Sequence, residues 1–280
     1  MAISYKFYRN ELRRNSFHAR SAFHQTKKGG QTMRTEEWLT KLSEKSSNAE
    51  TLEQFRARLP LGMDESGNII LSRIREYPYG IRHTCVTGAH ATAFIKRFIL
   101  SLSCLYEKDE LNFLVLSPKT EYGELLRLNS LEITVPFLRT KGDLESAKAC
   151  ITELITLADT QKCPKLFVVL DGLEELTGCN QNGDLEEYRD FFTMLTRKNV
   201  EIVSGVSLMK SIFSGYPGAF VGVGNALVTT DGEGKADVTY VGDDFALSLP
   251  TAIILPDAPT VSETVLLLNS IPQKTEKDEN

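Results

Sequence analysis

The chain has 280 residues, of which 41% are apolar, so it can bury a substantial core and is not disordered throughout. Its 37 acidic and 32 basic side chains leave a formal charge of −5, which excludes the globally basic footprint that duplex DNA or anionic membranes reward. The five cysteines (Cys85, Cys104, Cys150, Cys163 and Cys179) show no CxxC pair or matching histidine spacing, so neither a zinc ribbon nor a disulfide framework is legible and a cytoplasmic, reduced protein is expected.

Residues 1–34 hold eight basic residues against one acid, Glu11, and read as a basic, disordered extension. A nucleic-acid-binding arm is the functional alternative, and translation beginning at Met33 the plain one. Thr35 ahead of Glu36, Glu37, Trp38 and Leu39 predicts a capped helix, and Leu52, Phe55 and Leu59 a second, which together make a helical lead-in over 35–58. Leu59–Met63 and Ile69–Ile74 flank the turn formers Asp64-Glu65-Ser66-Gly67-Asn68 and predict a hairpin.

Strand and helix patterns then alternate. Strands are predicted at Ile81–Thr87, Asn112–Leu116, Leu131–Val135, Lys165–Leu170 and Val200–Val206, and helices at Ala91–Tyr106, Asp143–Asp159 and Leu185–Arg197. Weaker strand signals follow at Ala226–Thr229, Asp237–Val241 and Phe245–Ile254. The alternation predicts an α/β domain over 59–272, with a doubly wound, mainly parallel sheet flanked by helices. Residues 273–280 read as a disordered polar tail. The longest apolar stretch, Cys85–Tyr106, is broken by Gly88, His90, Lys96 and Arg97, so no membrane span is predicted.

A phosphate-binding loop needs GxxxxGK[ST] between a strand and a helix, because backbone N–H groups wrap the phosphates, lysine neutralises them and the hydroxyl holds magnesium. Gly88-Ala89-His90-Ala91-Thr92-Ala93-Phe94-Ile95 stands at that junction. By motif spacing Gly88 keeps the first glycine, Ala93 replaces the second, Phe94 replaces the lysine and Ile95 replaces the hydroxyl. Lys96 comes two residues late, about 200° around the helix, and points away from the cradle. Further on, Leu166-Phe167-Val168-Val169-Leu170-Asp171 is an apolar strand ending in an acid, the form of a Walker B strand. Gly172 follows where a catalytic glutamate would stand, and Glu174 and Glu175 are displaced candidates for that base. Asp171 is the metal ligand only if Mg-nucleotide binds.

In order and spacing, residues 59–256 resemble the FtsK/SpoIIIE branch of the RecA-like P-loop ATPases. Leu59-Pro60-Leu61-Gly62-Met63-Asp64 with Gly67 looks like that family's opening LP-x-G-x-D hairpin, and Tyr77-Pro78-Tyr79-Gly80-Ile81 like its Pro-His-Leu lead into the P-loop strand. Phe113-Leu114-Val115-Leu116-Ser117-Pro118-Lys119 resembles its second strand, which ends in Asp-Pro-Lys; Ser117 replaces the aspartate. Val203-Ser204-Gly205 falls in the sensor region, without the expected glutamine. A lysine-free P-loop is similar to the degenerate last ATPase module of type VII secretion motors, which recognise small helical export substrates.

The resemblance implies a RecA-like P-loop NTPase fold. The substitutions point to a pseudo-ATPase: a non-hydrolysing interaction or scaffold module of a translocation, secretion or DNA-transfer machine. Its partners would be an active motor subunit or a helical export substrate, with DNA a further option and no cofactor expected. Mg-ATP is the cofactor implied if the loop still binds. A weak ATPase or DNA translocase using Asp171 with Glu174 or Glu175, and DNA binding through the basic arm, are the alternatives.

Overall fold

Two strands with apolar residues on both faces anchor the architecture: Leu111–Leu116 (β4) and Lys165–Asp171 (β6) are buried almost end to end. Strands of this kind belong in a sheet covered on both sides. The structure is a computed structural model and describes residues 33–72, 82–88, 90–106, 110–127, 132–134, 139, 143, 146, 149, 152, 156, 165–172, 200–206, 226–230, 234–240 and 248–256. The expectations for residues 1–32 and 273–280 and for the helix at Leu185–Arg197 lie outside the described residues. Residues 33–280 form one compact unit.

The remaining strands are Pro60–Met63 (β1), Ile69–Leu71 (β2), Arg82–Thr87 (β3), Glu132–Thr134 (β5), Val200–Val206 (β7), Ala226–Thr230 (β8), Lys235–Tyr240 (β9) and Thr251–Ile254 (β10). They make a single sheet in the order β2-β1-β10-β9-β8-β3-β7-β6-β4-β5. From β8 to β5 every pairing is parallel, whereas β9, β10, β1 and β2 extend the sheet antiparallel. The predicted hairpin is present, with Met63 opposite Ile69. β10 begins later than the expected Phe245: Leu249-Pro250 stays outside it, and proline has no N–H to give a ladder.

Helices Thr35–Ser46 (α1), Ala49–Ala57 (α2) and Ala91–Ser103 (α3) share one core with the sheet. Phe113, Val115, Phe167, Val169 and Val203 belong to that core, and the alternate residues Leu114, Val168, Leu170 and Ile202 are equally buried, as a period of two requires of a two-sided sheet. Rings continue from helix to sheet: Phe98 lies 6.1 Å from Phe167, which lies 5.5 Å from Phe113. Positions 143, 146, 149, 152 and 156 are helical, in line with the predicted helix there.

The helical lead-in is part of this core. Trp38, Leu39, Leu42 and Phe55 are buried, and Trp38 Nε1 donates to Ser101 Oγ at 2.7 Å. Arg56 donates through Nε to the Leu105 carbonyl and through both terminal nitrogens to Glu110, which clamps α2 to the far end of α3. Thr35 is a buried first helical residue and not a cap; Arg34 holds the cap position without a side-chain bond. Asn48 supplies the real cap, for α2, by accepting from the Glu50 and Thr51 amides. Met33 is buried and bridges Pro256.

Candidate functional site

All five chain segments that meet at the site leave the carboxyl ends of parallel strands: Gly88 after β3, Ser117–Lys119 after β4, Asp171 at the end of β6, Gly205 in β7 and Thr230 at the end of β8. That edge of an open α/β sheet is where side chains from different strands converge on a ligand. Because β7 runs between β3 and β6, Asp171 sits beside Gly205 in register, and Gly205 sits beside Val86. A Cβ on Gly205 would collide with Asp171 Oδ1 and crowd Ile95 Cδ1, so glycine here is what lets the carboxylate reach under α3.

Asp171 has no solvent exposure, and both of its oxygens are engaged. Oδ1 accepts from Lys119 Nζ at 2.8 Å, while Oδ2 accepts from Thr92 Oγ1 at 2.7 Å and from Tyr122 Oη at 2.8 Å. Lys119 Nζ also lies 2.8 Å from Thr92 Oγ1, which closes a ring of ammonium, hydroxyl and carboxylate. A buried carboxylate is tolerable only when paired and hydrogen-bonded, and here every requirement is met by protein atoms. Ser117 Oγ accepts from the Lys119 amide at 3.1 Å, a local turn at the end of β4 that sends the lysine back over the strand tips. Tyr122 lies on the 3-10 helix Thr120–Arg127, fully buried; burial first, and then the charge of Asp171, push its phenol well above the ordinary range, so it stays a donor.

The loop after β3 is short. Three residues, Gly88, Ala89 and His90, separate β3 from α3, whereas the phosphate-binding motif spends about six before its lysine. The register therefore differs from the one motif spacing gives. α3 opens at Ala91, so Thr92 is its second residue and delivers the hydroxyl to Asp171, while Phe94 and Ile95 lie up to a turn further along and are buried in the core. His90 is exposed at the cap position. The loop amides turn inward: His90 N donates to Thr230 Oγ1 at 3.3 Å and Ala91 N to the Gly88 carbonyl at 3.3 Å. Thr230 Oγ1 in turn donates to the Thr87 carbonyl at 3.0 Å. Gly88 has a φ of 103°, and a Cβ there would run into the Thr230 carbonyl, so β8 is pressed directly against the loop.

No known protein family and no curated protein matches the chain by sequence. Among solved structures it is similar to the cytoplasmic domain of the Thermomonospora curvata type VII secretion ATPase EccC, at 15% identity and a TM-score of 0.55, over 76% of this chain and 31% of that one. The fold is that of a RecA-like P-loop ATPase domain. EssC (ATPases 2 and 3) from Geobacillus thermodenitrificans matches at 12% identity, with TM-score 0.45, over 76% of this chain and 48% of its own. The pCW3 conjugation coupling protein TcpA matches at 11% identity, with TM-score 0.46, over 79% and 73%. The chain thus spans about a third of the EccC chain.

Gly88 to Ile95, at the β3–α3 junction, and Asp171, at the end of β6, are the segments that motif spacing matches to a P-loop and to a Walker B aspartate. A P-loop enzyme places magnesium on the P-loop hydroxyl and the Walker B aspartate, and phosphates on the loop amides and lysine. The residues present do not fit Mg-ATP as they stand: two loop amides are bonded within the protein, the loop carries no lysine, and Asp171 has no free oxygen facing solvent. Among the described residues, no cluster of three or more His, Cys, Asp or Glu side chains offers a metal site elsewhere, and no helix is long and apolar enough to cross a membrane. Glu174 and Glu175 lie outside the described residues, as does Ala89. Sequence reasoning included Thr92 in the expected loop and Gly205 in the sensor region but gave neither its contact with Asp171, and it missed Lys119, Tyr122 and Thr230 as members of this site. Lys119 had a legible signal, since Ser117-Pro118-Lys119 at a strand end resembles an Asp-Pro-Lys motif.

Proposed function

We propose that this chain is a non-hydrolysing P-loop domain, a pseudo-ATPase that serves as an interaction or scaffold module of a cytoplasmic translocation, secretion or DNA-transfer machine. The observation that carries this reading is the state of the phosphate cradle. A three-residue loop whose His90 amide is held by Thr230 has lost both the length and the lysine that would wrap a triphosphate. Unmet phosphate charge is expensive to desolvate, and the N-terminus of α3 alone offers only a partial positive charge, worth about 0.3–1 kcal/mol at an exposed site.

The likeness to EccC supports placing the domain in a secretion-type assembly, where a domain that does not turn over nucleotide would contribute contacts to an active motor subunit or to a helical export substrate. Calorimetry of the wild-type chain with Mg-ATP and Mg-ADP tests the reading. The expected outcome is no saturable binding tighter than about 100 μM, which corresponds to roughly 5–6 kcal/mol, and phosphate release at background. Saturable nucleotide binding below that threshold would overturn it.

A further inference from the structure

The metal half of the site, as distinct from its phosphate half, has a built-in occupant. Lys119 Nζ contacts Thr92 Oγ1 and Asp171 Oδ1, each at 2.8 Å. Those are the two kinds of oxygen that a P-loop enzyme places on its divalent cation. We propose that the Lys119 ammonium is a permanent intramolecular substitute for that cation, and that the segment from Ser117 to Arg127 is an autoinhibitory strap that keeps a metal ion out.

Three observations converge on this. The two oxygens under the ammonium are hard, one from a carboxylate and one from a hydroxyl, while the Tyr122 phenol donates to the second carboxylate oxygen. Carboxylate and other oxygen donors suit magnesium and manganese. Both strap contacts come from one short stretch, Lys119 just after β4 and Tyr122 three residues on, so one movement of that stretch would release both from Asp171. The lysine reaches toward water, with a side chain 19% exposed, whereas Asp171 and Tyr122 have no exposure. An ammonium at this place satisfies the buried carboxylate without metal, so the module keeps one conformation whatever the magnesium or nucleotide level. Removing the Lys119 side chain would free Asp171 Oδ1 and take the ammonium off the Thr92 hydroxyl, the two oxygens it contacts.

This deepens the pseudo-ATPase reading and shares its fold assignment, but it stands or falls on a different measurement: nucleotide binding to the wild-type chain would sink that reading and leave this one to the manganese comparison. The experiment titrates Mn²⁺ into the full chain and into Lys119→Ala and Lys119→Met, following free Mn²⁺ by electron paramagnetic resonance and the melting temperature in parallel. Expected are one Mn²⁺ site in each variant, at least about tenfold tighter than anything in wild type, and a melting temperature that rises with Mn²⁺ only in the variants. Adding Asp171→Asn to Lys119→Ala should abolish both effects. Should the variants fold only when Mn²⁺ is supplied, the proposal is supported. Equal Mn²⁺ binding by wild type, folded variants without a site, or variants that no Mn²⁺ concentration folds would overturn it.

Discussion

Lys119 Nζ stands 2.8 Å from Asp171 Oδ1, on a carboxylate that is wholly withdrawn from solvent at the carboxyl edge of the sheet. Breaking a buried pair by removing one member leaves an uncompensated charge, which typically costs about 3–5 kcal/mol, whereas replacing both members by apolar groups is often close to neutral. Asp171→Leu is therefore expected to lower the urea unfolding free energy by about 3–5 kcal/mol. The double variant Lys119→Met, Asp171→Leu should recover most of that loss. The coupling from such a cycle is the measurement; additive single and double effects would mean that the pair is not buried as described.

The Thr230 hydroxyl accepts from the His90 amide at 3.3 Å, in the loop that the pseudo-ATPase reading takes for the phosphate cradle. Thr230→Val keeps the shape of the side chain and removes both the acceptor for His90 and the donor to Thr87. Loss of one such bond costs about 1–3 kcal/mol when the orphaned group is buried, as at the Thr87 carbonyl, and less at the exposed His90. Amide hydrogen exchange should accelerate at His90 while the β6 amides stay protected. Unchanged exchange at His90 would show that Thr230 does not occupy the cradle.

Gly205→Ala is expected to cost about 1–3 kcal/mol or more, because its Cβ would meet the Asp171 carboxylate on one side and Ile95 Cδ1 on the other. Asp171 cannot retreat without leaving Thr92, Tyr122 and Lys119. A thermal melt comparing Gly205→Ala with Gly123→Ala decides the matter: a Cβ at Gly123 meets nothing within 4 Å, so any large loss there as well would point to a general glycine effect.

Much of the fold was legible because its signals are local. Apolar runs such as Leu166–Leu170 and the Phe94, Phe98, Leu102 spacing fix a strand and a helix irrespective of what surrounds them. The site was half legible. Asp171 follows from its place at a strand end, but the partners of Asp171 are set by tertiary geometry: Thr92 lies 79 residues away and Lys119 lies 52. Motif spacing also assumed a loop of standard length, and a loop shortened to three residues moves every later position along the helix. The hydroxyl that bonds Asp171 is that of Thr92, whereas counting from Gly88 puts Ile95 at the hydroxyl position. Thr230 lies just past the weak strand signal at Ala226–Thr229, and no local pattern announces that its hydroxyl reaches back to β3.

Trp38 is the only tryptophan, and its indole N–H is bonded to Ser101 in the core, so its emission reports whether α1 is docked on α3. Since α1 and α2 share the hydrophobic core of the sheet, tryptophan fluorescence and far-ultraviolet circular dichroism should give coincident urea transitions. An earlier fluorescence transition would show that the helical lead-in unfolds by itself.

Tyr122 provides a pH test with a defined sign. Its phenol donates to Asp171 Oδ2 at 2.8 Å, and burial together with the neighbouring carboxylate raises its ionisation well above the value of about 10 that a tyrosine has in an unfolded chain. Below pH about 10 both states keep the proton, and the stabilising contribution is fully present. Above that, the unfolded chain releases a proton the native protein retains, so stability falls by up to about 1.4 kcal/mol per pH unit until the folded phenol itself ionises. Tyr122→Phe has no such proton. At pH 8 it should be less stable than wild type by about 1–3 kcal/mol, because Asp171 loses a donor to a charged acceptor. Between pH 10 and about 11 that gap should narrow as wild type declines more steeply. Urea unfolding of both proteins at pH 8, 10 and 11 supplies the comparison, and a gap that stays constant would remove Tyr122 from the buried network.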